Sequence, residues 1–143
     1  MLNAPLSYGT KFAVASDISW AWTEFDGKTV GCRYWSRRAV QAHAFDPKTK
    51  LIHEHVVPKS IVIRMLFELK SPTNAEVFDL LDRFLVAVVV TPEEDRFLAR
   101  KHRSTMPSEF FDSNSDGFQD IWLRYRLTQI EVIEHATGRE AYK

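Results

Sequence analysis

Residues 85–94 read LVAVVVTPEE, and this stretch decides the fold class. LVAVVV is β-branched and apolar on both faces, so it belongs in the middle of a sheet. Thr91-Pro92-Glu93-Glu94 reads as a helix start: a hydroxyl cap, proline at the first position, acids in the first turn. The helix is expected to run to about Arg100. A buried strand passing straight into a helix predicts mixed α and β architecture.

Upstream, Thr73 and Glu76 make a capping-box pattern, and AEVFDLLDRF follows as an amphipathic helix with Val77, Leu80, Leu81 and Phe84 on its inner face. KSIVIRMLFELK, residues 59–70, is too broadly apolar for a surface helix and reads as a largely buried one beginning after Pro58. TVGCRYW, residues 29–35, alternates as a strand. Ser36 caps a short helix, RRAVQAHAF, that ends at Asp46-Pro47. A first helix is expected from about Gly9 to Trp22, before the Asp26-Gly27 turn. Downstream, HRSTMPSEF and DSNSDG read as loop and turn, FQDIWLRYRL as a helix with Ile121, Trp122, Tyr125 and Leu127 inward, and IEVIEH as a last strand at an edge. The sum is one α+β domain over residues 1–143, a small mixed sheet packed by four or five helices.

The chain has 143 residues, 45% hydrophobic and 27% charged, enough to bury a core. No apolar run approaches the ~20 residues a bilayer span needs. MLNAPLSYGTKF lacks the pattern of a secretory signal, and the single cysteine, Cys32, excludes an internal disulfide. Both features predict a cytoplasmic protein with no membrane partner. Nineteen basic and nineteen acidic residues cancel, which argues against a general nucleic-acid binder but leaves room for local basic patches. RYWSRR, with Arg33, Arg37 and Arg38 among aromatics, is one; RKHR, residues 100–103, is another. Charge clusters of this kind also serve as plain solvated faces.

Chemistry is hinted at in one place, HEHVVPK, residues 53–59. On an extended segment His53 and His55 share one face and Glu54 the other. Two histidines on one face suit zinc, copper or nickel but need further donors. Val56, Val57 and Pro58 argue against helix, so this is not the zincin arrangement, which needs histidines four apart on a helix.

The adjacent Glu54-His55 followed by Val-Val-Pro resembles the first half of the HNH (ββα-metal) nuclease motif. The resemblance implies that Glu54 holds a divalent metal (magnesium, manganese or zinc), with His53 beside it, and that His55 is the general base on the attacking water. The second half would fall on VVVTPEEDRFLARKH, where Asp95 stands nearest the expected polar ligand. His102, seven positions on, lies about 10 Å further along a helix axis and serves a different point. Arg33, Arg37, Arg38 and Lys59 would then face nucleic acid. By analogy with that family, the domain would handle DNA for mobile elements or defence against them.

A second reading treats the chain as a non-catalytic interaction protein of the regulator, inhibitor or antitoxin kind. It would bind a protein partner through aromatics such as Trp20, Trp22 and Trp35. HEHVVPK would then pin a helix to a sheet, with Glu54 paired to Arg64 or a nearby lysine and His55 in a core hydrogen bond.

Overall fold

The computed structural model describes residues 5–142. In chain order the elements are α1 (Tyr8–Glu24), β1 (Tyr34–Ser36), α2 (Arg37–Phe45), β2 (Ile52–His55), α3 (Lys59–Glu68), α4 (Asn74–Phe84), β3 (Ala87–Val90), α5 (Pro92–His102), a 3-10 turn (Ser108–Phe110), α6 (Leu123–Thr128) and β4 (Val132–Glu134). The α+β expectation holds, with six α-helices among the described residues rather than four or five.

The four strands lie in the order β2-β3-β1-β4, with β3 interior as its apolar sequence requires. β3 runs parallel to β1 and antiparallel to β2, and β4 closes the other edge against β1. All four residues of β3 are buried, which at roughly 1.5–3 kcal/mol per large apolar side chain makes it the anchor of the sheet. Its alternation divides the core. Ala87 and Val89 face Trp35, Ala39 and Cys32, where α2 packs. Val88 and Val90 face Leu98, Trp122, Tyr125 and Ile130, where α5 and α6 pack. A further apolar cluster joins α3 and α4 to the 3-10 turn through Val62, Leu66, Phe84, Met106 and Phe110. α1 lies against α3. No helix among the described residues is long and apolar enough to cross a membrane.

The caps follow the sequence closely. The Ser36 hydroxyl accepts from the Ala39 amide, and Thr73 and Thr91 form capping boxes with Glu76 and Glu94. α1 extends to Glu24, two residues past the expected end. The strand expected over 29–35 shrinks to 34–36 because residues 25–33 fold back as a loop. Gly27 takes φ +100° there, and a Cβ on Gly31 would stand 2.0 Å from the Asp26 carbonyl oxygen. Gly31→Ala is therefore expected to cost about 2 kcal/mol or more, read as a lower urea midpoint with an unchanged m-value. The helix expected over 118–127 starts only at Leu123, because Gln119 adopts φ 53° and the Asp120 carboxylate accepts from the Trp122 amide. Leu127, expected inward, is 53% exposed.

Candidate functional site

β2 carries the HEHVVPK histidines and glutamate to an edge of the sheet. Pairing of His53 with Val89 and of His55 with Ala87 puts both histidines on the α2 face, where α1 covers the end of the sheet. Glu54, opposite Val88, points to the α5 and α6 face. The alternation read from the sequence is thus present.

His55 is 7% exposed. Its Nε2 lies 3.2 Å from the Thr23 hydroxyl of α1. The ring meets the Trp20 ring edge to face at 4.9 Å between centroids, and the Lys59 ammonium lies over the same indole at 4.3 Å. Burial, then the charges of His53, Lys59 and Arg124, push its pKa down to about 3. The imidazole is neutral at neutral pH and is a weak proton acceptor. His53 donates from Nε2 to the Thr23 carbonyl at 3.3 Å, which leaves Nδ1 buried without a partner among the described residues. Its pKa is also lowered, chiefly by burial.

Glu54 is held on the other side. Arg124, completely buried, donates from Nη2 to both carboxylate oxygens at 2.6 and 2.8 Å, and the Tyr125 hydroxyl donates to Oε2 at 2.8 Å. The same guanidinium donates to the carbonyls of His55, Val56 and His102. One side chain of α6 therefore ties β2, the Val56 turn and the end of α5 together. Burial raises the Glu54 carboxyl above the usual carboxylate range, opposed by the nearby Arg124 charge and the Tyr125 hydroxyl. The Tyr125 hydroxyl is raised well above its ordinary pKa, by burial first and by the Glu54 charge second. The partner of Glu54 is thus Arg124, not Arg64, whose guanidinium donates to the Ser60 carbonyl.

Asp95 on α5 is close enough for its charge to act on Glu54. Glu54 and Asp95 share a side of the sheet, whereas His53 lies on the other, so Glu54, His53 and Asp95 do not converge on one point. No group of three or more His, Cys, Asp or Glu side chains among the described residues is arranged to hold a metal ion.

The basic candidates are dispersed. Lys59 belongs to the Trp20 cluster, and its pKa is lowered, mainly by burial. Arg33 pairs with Glu134, and Arg37 with Glu131 and Glu140. Arg38 has no acidic partner among the described residues. It lines a cleft that Arg100 of the second basic patch also lines. Of the tryptophans named as partner anchors, Trp35 is 1% exposed and Trp22 half-buried, which leaves Trp20 at 38%.

Sequence reasoning missed Arg124. A signal was present: Ile121, Arg124, Tyr125 and Thr128 recur at helical spacing, so the arginine shares the face that Ile121 and Tyr125 bury. No family model, no curated protein and no solved structure matches the chain.

Proposed function

We propose that the chain is a non-catalytic cytoplasmic protein that binds a helical segment of a protein partner along the solvent side of α1. The observation that carries this reading is the apolar row Val14, Ile18, Ala21 and Phe25, spaced i, i+4, i+7 and i+11. All four are exposed, with Ile18 46% and Phe25 90% accessible. A surface helix normally keeps polar groups outward, and α1 instead has apolar residues around most of its circumference. The spacing is that of the ridges by which one helix packs on another. Contiguous exposed apolar surface of this kind marks interaction sites. The acid–histidine pair, meanwhile, is already engaged in bonds that hold α1 and α6 to β2, which supports a structural use of HEHVVPK. A buried lone thiol at Cys32 suits a reducing cytoplasm.

The HNH-like reading is the rival, favoured by Glu54 and Asp95 sharing one side of the sheet. It requires the Glu54 carboxylate to exchange Arg124 for a divalent metal while His55 becomes reachable by water.

A photo-crosslinking residue placed at Phe25 in the native host is expected to capture a defined partner. Ile18→Asp is expected to abolish capture without lowering the melting temperature. The same group at Phe45, 93% exposed on α2, serves as control. Equal capture from both positions sinks the α1 reading. Plasmid cleavage that requires magnesium, manganese or zinc and is lost in Glu54→Gln establishes the rival.

A further inference from the structure

β1 and β3 are parallel neighbours, and each passes directly into a helix. Their helices leave to opposite faces: α2 packs on Val89 and Trp35, and α5 packs on Val88 and Val90. Adjacent parallel strands with helices on opposite faces create a topological switch point, and the crevice beyond their carboxyl ends is where open α/β sheets bind ligands. A cleft of about 620 Å³ opens at that place, between α2, α5 and the segment joining α6 to β4. This lies within the ~300–1,000 Å³ range of small-molecule sites and is far larger than a lone inorganic anion fills.

Several donors at the two helix starts are already engaged. The Glu94 carboxylate accepts from the Thr91 amide at 2.9 Å and the Thr91 hydroxyl at 3.1 Å, and from the Ser36 hydroxyl at 2.6 Å. Ser36 in turn caps α2, so the floor of the cleft is closed by internal bonds. The carboxylates on the walls are also engaged: Glu131 with Arg37, and Glu93 with Arg96. Among the described residues two guanidiniums on the walls lack a carboxylate partner, Arg38 of α2 and Arg100 of α5. Arg38 sits in the first turn of its helix, where the helix dipole disfavours a cation, so a bound anion would relieve it. Phe97 presents a half-buried ring with Arg100 lying 5.4 Å above it. Gln41 and Gln129 add neutral donors and acceptors.

We infer that this cleft binds a nucleoside phosphate, either a free nucleotide or one unit of a nucleic-acid strand. Arg38 and Arg100 meet the phosphate, since guanidinium forks pair with phosphate oxygens through two parallel hydrogen bonds. The two glutamines meet the sugar hydroxyls. The base stacks on the outer face of the Arg100 guanidinium, whose inner face lies over the Phe97 ring, as bases do on guanidinium surfaces. The site is independent of the α1 surface and involves neither Glu54 nor His55.

The test is titration of the isotope-labelled full chain with adenosine monophosphate, inorganic phosphate and an oligothymidylate, followed through backbone amide shifts. Saturable shifts at Gln41, Phe97 and Ile130 with the nucleotide are expected. Affinity should fall at least about tenfold in Arg38→Gln/Arg100→Gln and stay unchanged in Arg33→Gln. Tighter binding of the oligomer identifies a nucleic-acid strand as the source, and preference for the monomer identifies a free nucleotide. No saturable shift with any probe overturns the assignment. So does inorganic phosphate binding as tightly as the nucleotide, because the sugar and base contacts then contribute nothing.

Discussion

Arg124→Met is expected to lose about 4 kcal/mol of stability, a large share of what the fold has, because it strands a buried carboxylate. Methionine matches the unbranched stem and fills much of the same space, so the loss is one of donors rather than volume. The Glu54 carboxylate and the carbonyls of His55, Val56 and His102 all lose the group that satisfies them. An unpaired buried acceptor costs about 1–3 kcal/mol each when water cannot replace the donor. A domain of this size has only ~5–15 kcal/mol in total. Glu54→Gln is expected to be milder, since the amide oxygen still accepts from the guanidinium and the three carbonyl bonds remain. Urea unfolding of both single variants and of Glu54→Gln/Arg124→Met closes a double-mutant cycle. The double variant is expected to recover about 2 kcal/mol of what the arginine variant loses, because no unpaired charge is then left buried. An Arg124→Met protein within about 0.5 kcal/mol of the parent would mean that the clamp does not hold the fold.

The clamp also shows what a sequence conveys and what it withholds. Caps and the interior strand were legible because their causes are local. Ser36, Thr73 and Thr91 bond to amides three residues on, and LVAVVV has no polar face to give to solvent. The alternation of His53, Glu54 and His55 was legible for the same reason, since a strand turns its side chains with period two whatever surrounds it. The partner of Glu54 was not. Arg124 lies seventy positions away, and its distance in sequence carries no trace of its distance in space. Arg64 was the natural guess because it is near in the chain, yet its helix turns it outward. The early onset expected for α6 failed through Gln119 at positive φ, an uncommon conformation for glutamine, and through the Asp120 carboxylate that takes the Trp122 amide. The cleft beside Arg38 and Arg100 was invisible for a topological reason. It exists only because β1 and β3 are neighbours, and residues 37–86 intervene between the two strands.

Acidification from pH 6.5 to 4.5 is expected to remove about 2 kcal/mol of stability through His55 alone, because the slope of about 1.4 kcal/mol per pH unit for one proton is only half reached at pH 6.5. In the unfolded chain the ring takes its proton near its ordinary pKa of ~6.5; in the folded protein it does so only near about 3. Between those values the unfolded state binds the extra proton, so stability is complete above about pH 6.5 and falls as pH drops toward 3. His53, also held neutral by burial, acts with the same sign and steepens the slope. The groups that face the His55 ring reinforce the effect: Lys59 and Arg124 repel an imidazolium, and Trp20 and Thr23 occupy the space water would need. Paired carboxylates such as Glu76 and Glu134, whose pKa values are lowered, contribute mainly below about pH 4.5, and Glu54, whose carboxyl is raised, acts with the opposite sign equally in the parent and in the variant compared with it. The check is urea unfolding at half-unit steps from pH 7.5 to 4.5 for the parent and for His55→Phe. Phenylalanine keeps the edge-to-face packing on Trp20, gives up the Thr23 hydrogen bond and cannot titrate. Its stability at pH 7 should be modestly lower, and its slope with pH should be smaller by about one proton. Equal slopes in the two proteins would mean that the ring is open to solvent and free to take a proton, which is the condition under which a general base at position 55 becomes tenable.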